Sequence, residues 1–311
     1  MQRMVVLDFY NLLHRSYHAF PREMRTSNGI QTNAVYGFMS SILTIIKEFN
    51  PQYMLIASES GPSFRKEQFE GYKATRTWRT DCPDEAEELD AQAILIKEIL
   101  LAMSVPVIDI PTYEADDVIG SVTKKFAKDN LDIMIVSNDM DMLQLINGFV
   151  KVFRPARPPF VKKKIYTNEE VLKSFGFSVN KIVDYKSLRG DPSDNIPGVK
   201  GIGEKNAKKL INEFGNLENI YKNIDDITPP SLKKKLEDGK EDAFMSKELS
   251  TIKTDIPIET SLKDAEIKDF RNESVISAFN KYEFKSLLAK LSSETKDSSL
   301  SKHEDQMEFG L

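Results

Sequence analysis

Eight carboxylates stand where an α/β protein would bring side chains together. Asp8 follows the apolar run Val5-Val6-Leu7, and Asp139 and Asp141 follow a second apolar run that ends at Ser137. The other five lie in two polar segments, with Glu114, Asp116 and Asp117 in one and Asp191 and Asp194 in the other. Because sites in open α/β sheets form beyond the carboxyl ends of the strands, we expect these side chains to converge at one rim.

Such a cluster needs counter-charge. Carboxylates at close range raise one another's pKa until some of them protonate or cations enter. A ligand set of oxygen atoms without His or Cys favours Mg²⁺ or Mn²⁺ over zinc. Two such ions, about 3.5–4 Å apart, activate a water and stabilise the leaving oxygen of a phosphate ester. The pattern therefore predicts two-metal hydrolysis of a phosphodiester, and solvated loop acids are the alternative for any single position.

The elements that would position these residues alternate along the first half of the chain. Short apolar runs at residues 4–7, 53–57, 105–110 and 133–137 are separated by helical patterns, such as residues 34–49 and 88–103. This order predicts a parallel sheet covered by helices. A Pro-rich segment after Arg154 and the capping-box spacing from Thr167 to Glu170 indicate a domain change near residue 165. Residues 166–291 have a helical, Lys-rich pattern, and we expect residues 292–311 to be disordered.

Composition limits the class of protein. The chain has 311 residues, 40% hydrophobic and 29% charged, so it is too apolar to be disordered throughout. Its 43 Lys and Arg against 48 Asp and Glu give a net charge of −5, which excludes a generally basic binder of nucleic acid. One cysteine, Cys82, forms no internal disulfide, and with three histidines it builds no usual structural zinc site. No apolar run is long enough to span a membrane, so we expect a cytoplasmic protein.

A glycine-rich turn offers a local contact for phosphate. Residues 198–203 read Gly-Val-Lys-Gly-Ile-Gly, and a helical pattern runs from Glu204 to Phe214 and ends before Gly215. Backbone N–H groups of such a turn, at the positive end of a helix, bind phosphate. With Lys205, Lys208 and Lys209 nearby, the segment has the signature of a helix-hairpin-helix. A plain turn before a solvated basic helix is the alternative.

A second segment combines cations with aromatic rings. Between the second and third apolar runs, the chain is much longer than a parallel crossover requires. It contains Phe64, Arg65, Lys66, Phe69, Tyr72, Lys73, Arg76, Trp78 and Arg79. This mixture suits a strand of nucleic acid, which needs charge neutralisation and base stacking. The alternative is an amphipathic helical insertion whose rings lie in the core.

Five separated motifs together resemble a known family. They are Asp8 with His14-Arg15-Ser16-Tyr17-His18, Phe64-Arg65 with Tyr72-Lys73, Glu114-Ala115-Asp116-Asp117, Asn138-Asp139-Met140-Asp141, and residues 190–198 from Gly190-Asp191 to Pro197-Gly198. They resemble the 5′-nuclease (flap endonuclease) domain of bacterial DNA polymerase I and its stand-alone phage and bacterial relatives. The resemblance implies an α/β fold: a PIN-like nuclease core over residues 1–165, a helical arch at about residues 62–90, and a helix-three-turn-helix domain at residues 166–291.

The resemblance also implies roles for particular residues. Asp8, Glu114 and Asp116 would hold the first of two Mg²⁺ or Mn²⁺ ions, and Asp117, Asp139, Asp141, Asp191 and Asp194 would complete the ligand set. Lys73 and Arg76 would contact the scissile phosphate beside the essential Asp116. Arg65, Tyr72, Gly198, Lys200, Gly201, Gly203, Lys205 and Lys208 would bind DNA, with K⁺ expected at the glycine turn. The implied enzyme is a monomeric, structure-specific 5′-3′ exonuclease or flap endonuclease of replication or repair, acting on DNA flaps, 5′ ends or RNA-primer hybrids in a bacterial or phage-infected cell.

Two departures from the family pattern leave other readings open. Ser58 stands where the family usually has an aspartate, and Phe9-Tyr10 follow Asp8 where small residues are usual. Glu59 would substitute for the missing carboxylate only if the chain has left the strand by that point, since strand alternation points it to the other face. A catalytically weakened factor that binds branched DNA, or a ribonuclease on structured RNA, are the alternatives.

The last six residues, which begin at Gln306 and end at Leu311, resemble the peptides by which replication proteins dock in a bacterial sliding clamp. An apolar tail end without a partner is the alternative.

Overall fold

A computed structural model describes residues 1–127, 131–156 and 161–291 of the chain. The expected disordered tail, and the clamp-docking peptide within it, lie outside these residues. In the described ranges, six strands form one sheet of order β3-β2-β1-β4-β5-β6. The strands are β1 (Gln2–Asp8), β2 (Tyr53–Ser58), β3 (Val107–Asp109), β4 (Leu131–Val136), β5 (Val150–Arg154) and β6 (Lys164–Tyr166).

The two central strands end level with each other. β1 and β4 are parallel, in a register that pairs Gln2 with Leu131 and Leu7 with Val136. Their apolar side chains are fully buried because helices cover both faces of a parallel sheet. Asp8 is therefore carried to the end of β1 beside the residue that follows β4, and the Ser137 hydroxyl donates to Asp8 Oδ2 at 3.4 Å.

The sequence analysis predicts four strands and does not predict the last two, β5 and β6. β5 lies parallel to β4, and β6 then pairs with β5 in the antiparallel direction. β6 has only three residues, too few for a readable alternation, whereas β5 reads Val-Lys-Val-Phe-Arg and has the β-branched, alternating pattern of a strand. The predicted α/β core is confirmed, with one reversed strand at its edge.

Helices account for most of the remaining chain. Those described are α1 (Phe9–Ala19), α2 (Asn33–Phe49), α3 (Arg65–Gln68), α4 (Trp78–Asp81), α5 (Pro83–Ala102), α6 (Ala115–Phe126), α7 (Asn168–Phe175), α8 (Ile182–Arg189), α9 (Glu204–Phe214), α10 (Leu217–Lys222), α11 (Pro230–Asp238), α12 (Lys240–Ser250) and α13 (Glu273–Lys281). Short 3₁₀ helices run over Met140–Leu145, Val179–Lys181 and Ile224–Asp226. Two ends follow the sequence signals: the Thr167 hydroxyl accepts from Glu170 N at 3.3 Å, and α9 ends at Gly215, whose φ is +93°.

The chain divides into two compact units, each assembled from separate segments. The first comprises Met1–Phe9, Ile56–Pro83 and Ile108–Glu259, and it contains all eight predicted carboxylates. The second comprises Tyr10–Leu55, Asp84–Val107 and the described part of Thr260–Leu311. The single boundary near residue 165 stays a prediction, and the arch segment at residues 62–90 consists of α3, α4 and the start of α5.

In the second unit, a buried amide replaces a side-chain cap. No cap bond forms from Thr32 at the start of α2. Instead, Gln92 Oε1 of α5 accepts from Ala34 N at 2.8 Å and Val35 N at 3.3 Å, and its Nε2 donates to Asn33 Oδ1 at 2.9 Å. Free N–H groups at a buried helix start require such partners, so Gln92 ties α5 to α2.

Candidate active site

Three carboxylates lie near enough to one another, beyond the end of the sheet, for their charges to interact. Asp8 ends β1, Asp116 lies in the first turn of α6, and Asp139 precedes the Met140–Leu145 3₁₀ helix. Desolvation raises the pKa of Asp116 well above its usual value, and the negative charges of Asp139 and Asp8 raise it further. A carboxyl whose pKa is raised by its neighbours marks a place where negative charge is under-compensated.

A fourth carboxylate, Glu114, lies at the start of α6 and contacts a lysine and a tyrosine. Glu114 directly precedes α6 and is buried. Its Oε1 accepts from Lys73 Nζ at 2.8 Å, and its Oε2 accepts from the Tyr72 hydroxyl at 3.0 Å. The same hydroxyl lies 3.4 Å from Asp194 Oδ2, so Tyr72 links carboxylates that are 80 residues apart in sequence, positions 114 and 194.

The loop that carries Lys73 is fixed by its backbone to the loop that carries Asp194. Lys73 N donates to Asp194 O at 2.8 Å, and Asn195 Nδ2 donates to Gly71 O at 2.7 Å. Lys73 has a φ of +54°, a conformation that a residue with a side chain rarely adopts. Arg76 forms an ion pair with Asp194 Oδ1 from the same loop. Both predicted phosphate contacts therefore point toward predicted metal ligands.

A buried lysine that the sequence analysis did not single out bridges two further carboxylates. Lys186 of α8 is 9% exposed, and its Nζ pairs with Asp141 Oδ1 and lies 2.7 Å from Asp191 Oδ2. Burial raises the pKa of Asp141, and although Lys186 opposes this, the pKa is about 6. Burial also raises the pKa of Asp191, but Lys186 and the Ser193 donors outweigh it and bring that pKa to about 2.

Asp117 and Arg65 form a buried pair at the edge of the acidic site, where Arg65 Nη1 also lies 3.5 Å from Glu114 Oε2. Arg65 Nη1 lies 2.7 Å from Asp117 Oδ2 and Nη2 lies 2.8 Å from Oδ1, with both residues buried. The remaining guanidinium donors bind Leu249 O at 2.9 Å and Thr251 O at 2.9 Å. Both Asp117 oxygens also accept backbone N–H groups, from Glu114 at 3.2 Å and from Lys253 at 2.8 Å. Arg65 therefore connects α6 to the end of α12, through a bidentate ion pair on one side and two carbonyl hydrogen bonds on the other.

The segment after β2 differs from the expectation of strand alternation. β2 ends at Ser58, whose side chain is fully buried and whose Oγ has no hydrogen-bond partner among the described residues. Glu59 has already left the strand, and its Oε2 accepts from Ala115 N at 3.2 Å. The Glu59 carboxylate therefore lies at the first turn of α6, although Ser58 replaces the aspartate that is usual in the family. On the other departure, the ring of Phe9 is fully buried and so is not presented to a base.

The glycine turn has the tight backbone that its sequence predicts. Gly198 has a φ of +60°, and a Cβ there would lie 2.2 Å from Gly190 N. Gly201 has a φ of +80°, and Gly203 directly precedes α9. Lys200 and Lys205 are exposed, whereas Lys208 Nζ lies 2.6 Å from Glu204 Oε1. Two lysines next to the turn are therefore exposed, and Lys235 Nζ also donates to Gly201 O at 3.1 Å.

The donor set of this site suits hard divalent cations, since its candidate ligands are carboxylate oxygens. In the part of the chain that is described, no three His, Cys, Asp or Glu side chains converge closely enough to form a ready metal cage. Instead, Lys73, Arg76 and Lys186 each pair with predicted ligands. The protein's own cations thus offset part of the charge of these carboxylates.

Comparison with known proteins agrees with this architecture. Residues 3–176 match the family described as 5′-3′ exonuclease, N-terminal resolvase-like domain, and residues 177–273 match 5′-3′ exonuclease, C-terminal SAM fold. The chain belongs to the 5′-3′ exonuclease family. This membership confirms the predicted nuclease class and the predicted pairing of an α/β core with a helical domain.

Relatives of this 5′-3′ exonuclease chain include much longer proteins. It is 42% identical over 292 residues to DNA polymerase I of Caldicellulosiruptor bescii, which covers 93% of this chain and 33% of that protein. The chain thus spans about a third of the length of that relative. Among solved structures, T5 5′-exonuclease with bound divalent metal ions (zinc) has a TM-score of 0.64 at 25% identity, covering 80% of this chain and 89% of that one. Flap endonuclease-1 of Methanococcus jannaschii shares the fold, with a TM-score of 0.59 at 19% identity over 93% and 91% of the two chains.

In the described residues, no helix has the length and apolar character that crossing a bilayer demands.

Proposed function

We propose that this 5′-3′ exonuclease cleaves DNA phosphodiesters at 5′ flaps or 5′ ends with the help of two divalent cations. The observation that carries the proposal is the grouping of eight carboxylates in one compact unit together with Lys73 and Arg76. Chance surface acids would not be linked by buried tyrosine and lysine side chains. Bound divalent ions in T5 5′-exonuclease support the metal requirement.

The carboxylates fall into two groups on this proposal. Asp8, Glu114, Asp116 and Asp139 would hold one ion, and Asp141, Asp191 and Asp194 would hold the other. Divalent ions in such positions lower the pKa of a bound water and neutralise charge on the leaving oxygen. Asp117 has a different role, because its oxygens are occupied by Arg65 and two backbone N–H groups. It positions the first turn of α6, and with it Glu114 and Asp116.

Lys73 and Arg76 are the cations that would meet the scissile phosphate. Both lie on the loop fastened to Asp194, so their distance from the acidic residues is fixed by backbone hydrogen bonds. Each is paired with a carboxylate of the site. A phosphate with an accompanying cation can replace that carboxylate as the partner of the ammonium or guanidinium, which places positive charge where the transition state becomes more negative.

The glycine turn supplies the second contact with DNA. Its backbone N–H groups at the start of α9, with Lys200 and Lys205, suit the phosphates of a duplex next to the cleaved strand. Two contacts at separate parts of the nuclease unit would give preference for a duplex with a single-stranded branch. K⁺ at this turn, clamp docking through the last six residues, a monomeric state and a cytoplasmic location stay predictions.

The test is cleavage of a labelled substrate. Purified protein with Mg²⁺ should release the 5′ flap from a branched duplex, and Asp116→Asn, which keeps the side-chain shape, should abolish release while DNA binding persists. A matched flap of RNA separates DNA from RNA preference. An intact DNA flap at stoichiometric excess of protein, with binding retained, would instead support the weakened DNA-binding factor that the Ser58 substitution suggests.

A further inference from the structure

We infer that Lys186 is a built-in competitor for the second divalent cation: its ammonium holds the position between Asp141 and Asp191 and must be displaced before an ion binds there. This inference rests on the proposed two-metal function. It concerns a residue that is neither a predicted ligand nor a predicted phosphate contact, and it rests on the contacts of that residue with two predicted ligands.

The geometry is that of a cation site. Lys186 Nζ contacts one oxygen of each carboxylate, Asp141 Oδ1 and Asp191 Oδ2. Its side chain is 11% exposed, against 16% for Asp141 and 20% for Asp191, so the three groups are screened from water to a similar degree. The second Asp191 oxygen is fixed by Ser193, whose N and Oγ donate at 2.9 and 2.6 Å. Asp191 is therefore oriented whether or not the lysine is present.

The single charge of the ammonium stabilises the two carboxylates less than the double charge of a divalent ion would. Two carboxylates carry two negative charges, and one ammonium leaves one of them uncompensated. A divalent cation would compensate both, but an ammonium that stayed beside it would repel it strongly in this partly desolvated setting. Lysine has a flexible four-carbon stem, so it can leave the position at the cost of its two ion pairs. Those lost pairs lower the apparent affinity of the second ion.

A purely structural lysine would behave differently. If Lys186 served only to hold α8 against the Asp141 segment, its removal would loosen Asp141 and weaken metal binding. If it competes with the ion, its removal strengthens metal binding. The sign of the change in affinity therefore separates the two roles.

The experiment measures Mn²⁺ binding without DNA, by calorimetry and by the electron paramagnetic resonance signal of free Mn²⁺ near pH 8. Lys186→Met removes the charge with little change of volume, and Lys186→Gln retains a hydrogen-bond donor if the methionine variant folds poorly. Lys186→Arg keeps the charge. Lys151→Met is the matched control, because Lys151 also pairs with a buried aspartate, Asp132, but at the opposite end of β4.

The weaker Mn²⁺ site should tighten about tenfold or more in the neutral variants and should not tighten in Lys186→Arg or Lys151→Met. Unchanged or weaker binding in both neutral variants, with flap cleavage intact in the wild type, would overturn the inference alone. A wild type that neither binds Mn²⁺ nor cleaves would overturn the proposed function and this inference with it.

Discussion

The Lys73 ammonium lies 2.8 Å from Glu114 Oε1 although the two residues are 41 positions apart. The contact requires Lys73 to hold a φ of +54° and its backbone N to bind Asp194 O. A strained residue that is fixed by a neighbouring loop, with its charged end directed at an acidic cluster, is the kind of feature that active sites retain.

Lys73→Met should reduce single-turnover cleavage of a 5′ flap by about 10²–10³-fold, because a preorganised positive charge at the scissile phosphate is lost. DNA affinity should change little, since other basic groups supply most of the binding. Lys66→Met is the control: Lys66 lies on α3 and is exposed. Equal losses in the two variants would show that Lys73 acts only through overall charge.

Asp117→Asn should lower the free energy of unfolding by about 3 kcal/mol, because the buried Arg65 guanidinium would lose its bidentate carboxylate and keep only the longer contact with Glu114. Urea unfolding followed by circular dichroism measures the change. The control is Lys268→Ala, which removes an exposed ion pair with Glu266 and should leave the free energy of unfolding nearly unchanged. A small effect of Asp117→Asn on stability, with loss of metal binding, would favour a ligand role for Asp117.

The pKa of about 6 at Asp141 makes metal-free stability depend on pH. The folded protein holds this proton more tightly than the unfolded chain, whose Asp has its ordinary pKa of 3.8. The stabilisation is therefore fully present below that ordinary value and is lost as the pH rises through about 6. Relative to Asp141→Asn, the wild type in EDTA should lose about 1.4 kcal/mol between about pH 5 and about pH 8. Parallel pH profiles for the two proteins would contradict this.

Gly198→Ala should destabilise the protein by about 1–3 kcal/mol, because a side chain is strained at its φ and would collide with the Gly190 backbone. Gly203→Ala is the matched substitution within the same turn, since nothing lies within 4 Å of a Cβ there. It should stay within about 0.5 kcal/mol of the wild type in thermal or urea unfolding. If both variants unfold alike, the close approach of the two backbones does not constrain the turn.

The double variant Lys200→Ala and Lys205→Ala should weaken binding to a branched duplex, and it should reduce the slope of log affinity against log salt by about 2. Its control is Lys263→Ala with Lys268→Ala, which removes the same charge from exposed positions of the other unit. Fluorescence anisotropy at several salt concentrations gives both slopes. Equal slopes in the two double variants would remove the glycine turn from the DNA interface.

The sequence predicted those features that depend on local pattern. Apolar runs located β1 and β4, and the residues that follow them, Asp8 and Asp139, occupy the expected sheet edge. Glycine and capping signals located α7 and α9. β6 was missed because three residues carry no readable alternation, and its pairing with β5 is decided by tertiary contacts.

Contacts between residues that are distant in sequence could not be predicted from local patterns. Lys186 sits in a helix as any solvated lysine might, and nothing local shows that its ammonium reaches Asp141. The resemblance implied that Arg65 binds DNA, and no local signal shows that its guanidinium donates to Asp117 and two carbonyl oxygens and lies 3.5 Å from Glu114 Oε2. The direction of Glu59 depended on where β2 ends, which the sequence pattern does not fix, and the strand ends at Ser58, one residue before it.

The nuclease unit is assembled from three stretches of chain, and this limits how the protein can be dissected. A fragment cut at residue 165 would lose Asp191 and Asp194, and it would also lose the Leu249 and Thr251 carbonyls that hold Arg65. The residues proposed for catalysis and those proposed for DNA binding therefore belong to one folded unit and cannot be separated into independent fragments. Any truncation, fusion or circular rearrangement that spares activity must keep residues 166–259 attached to the strands that come before them.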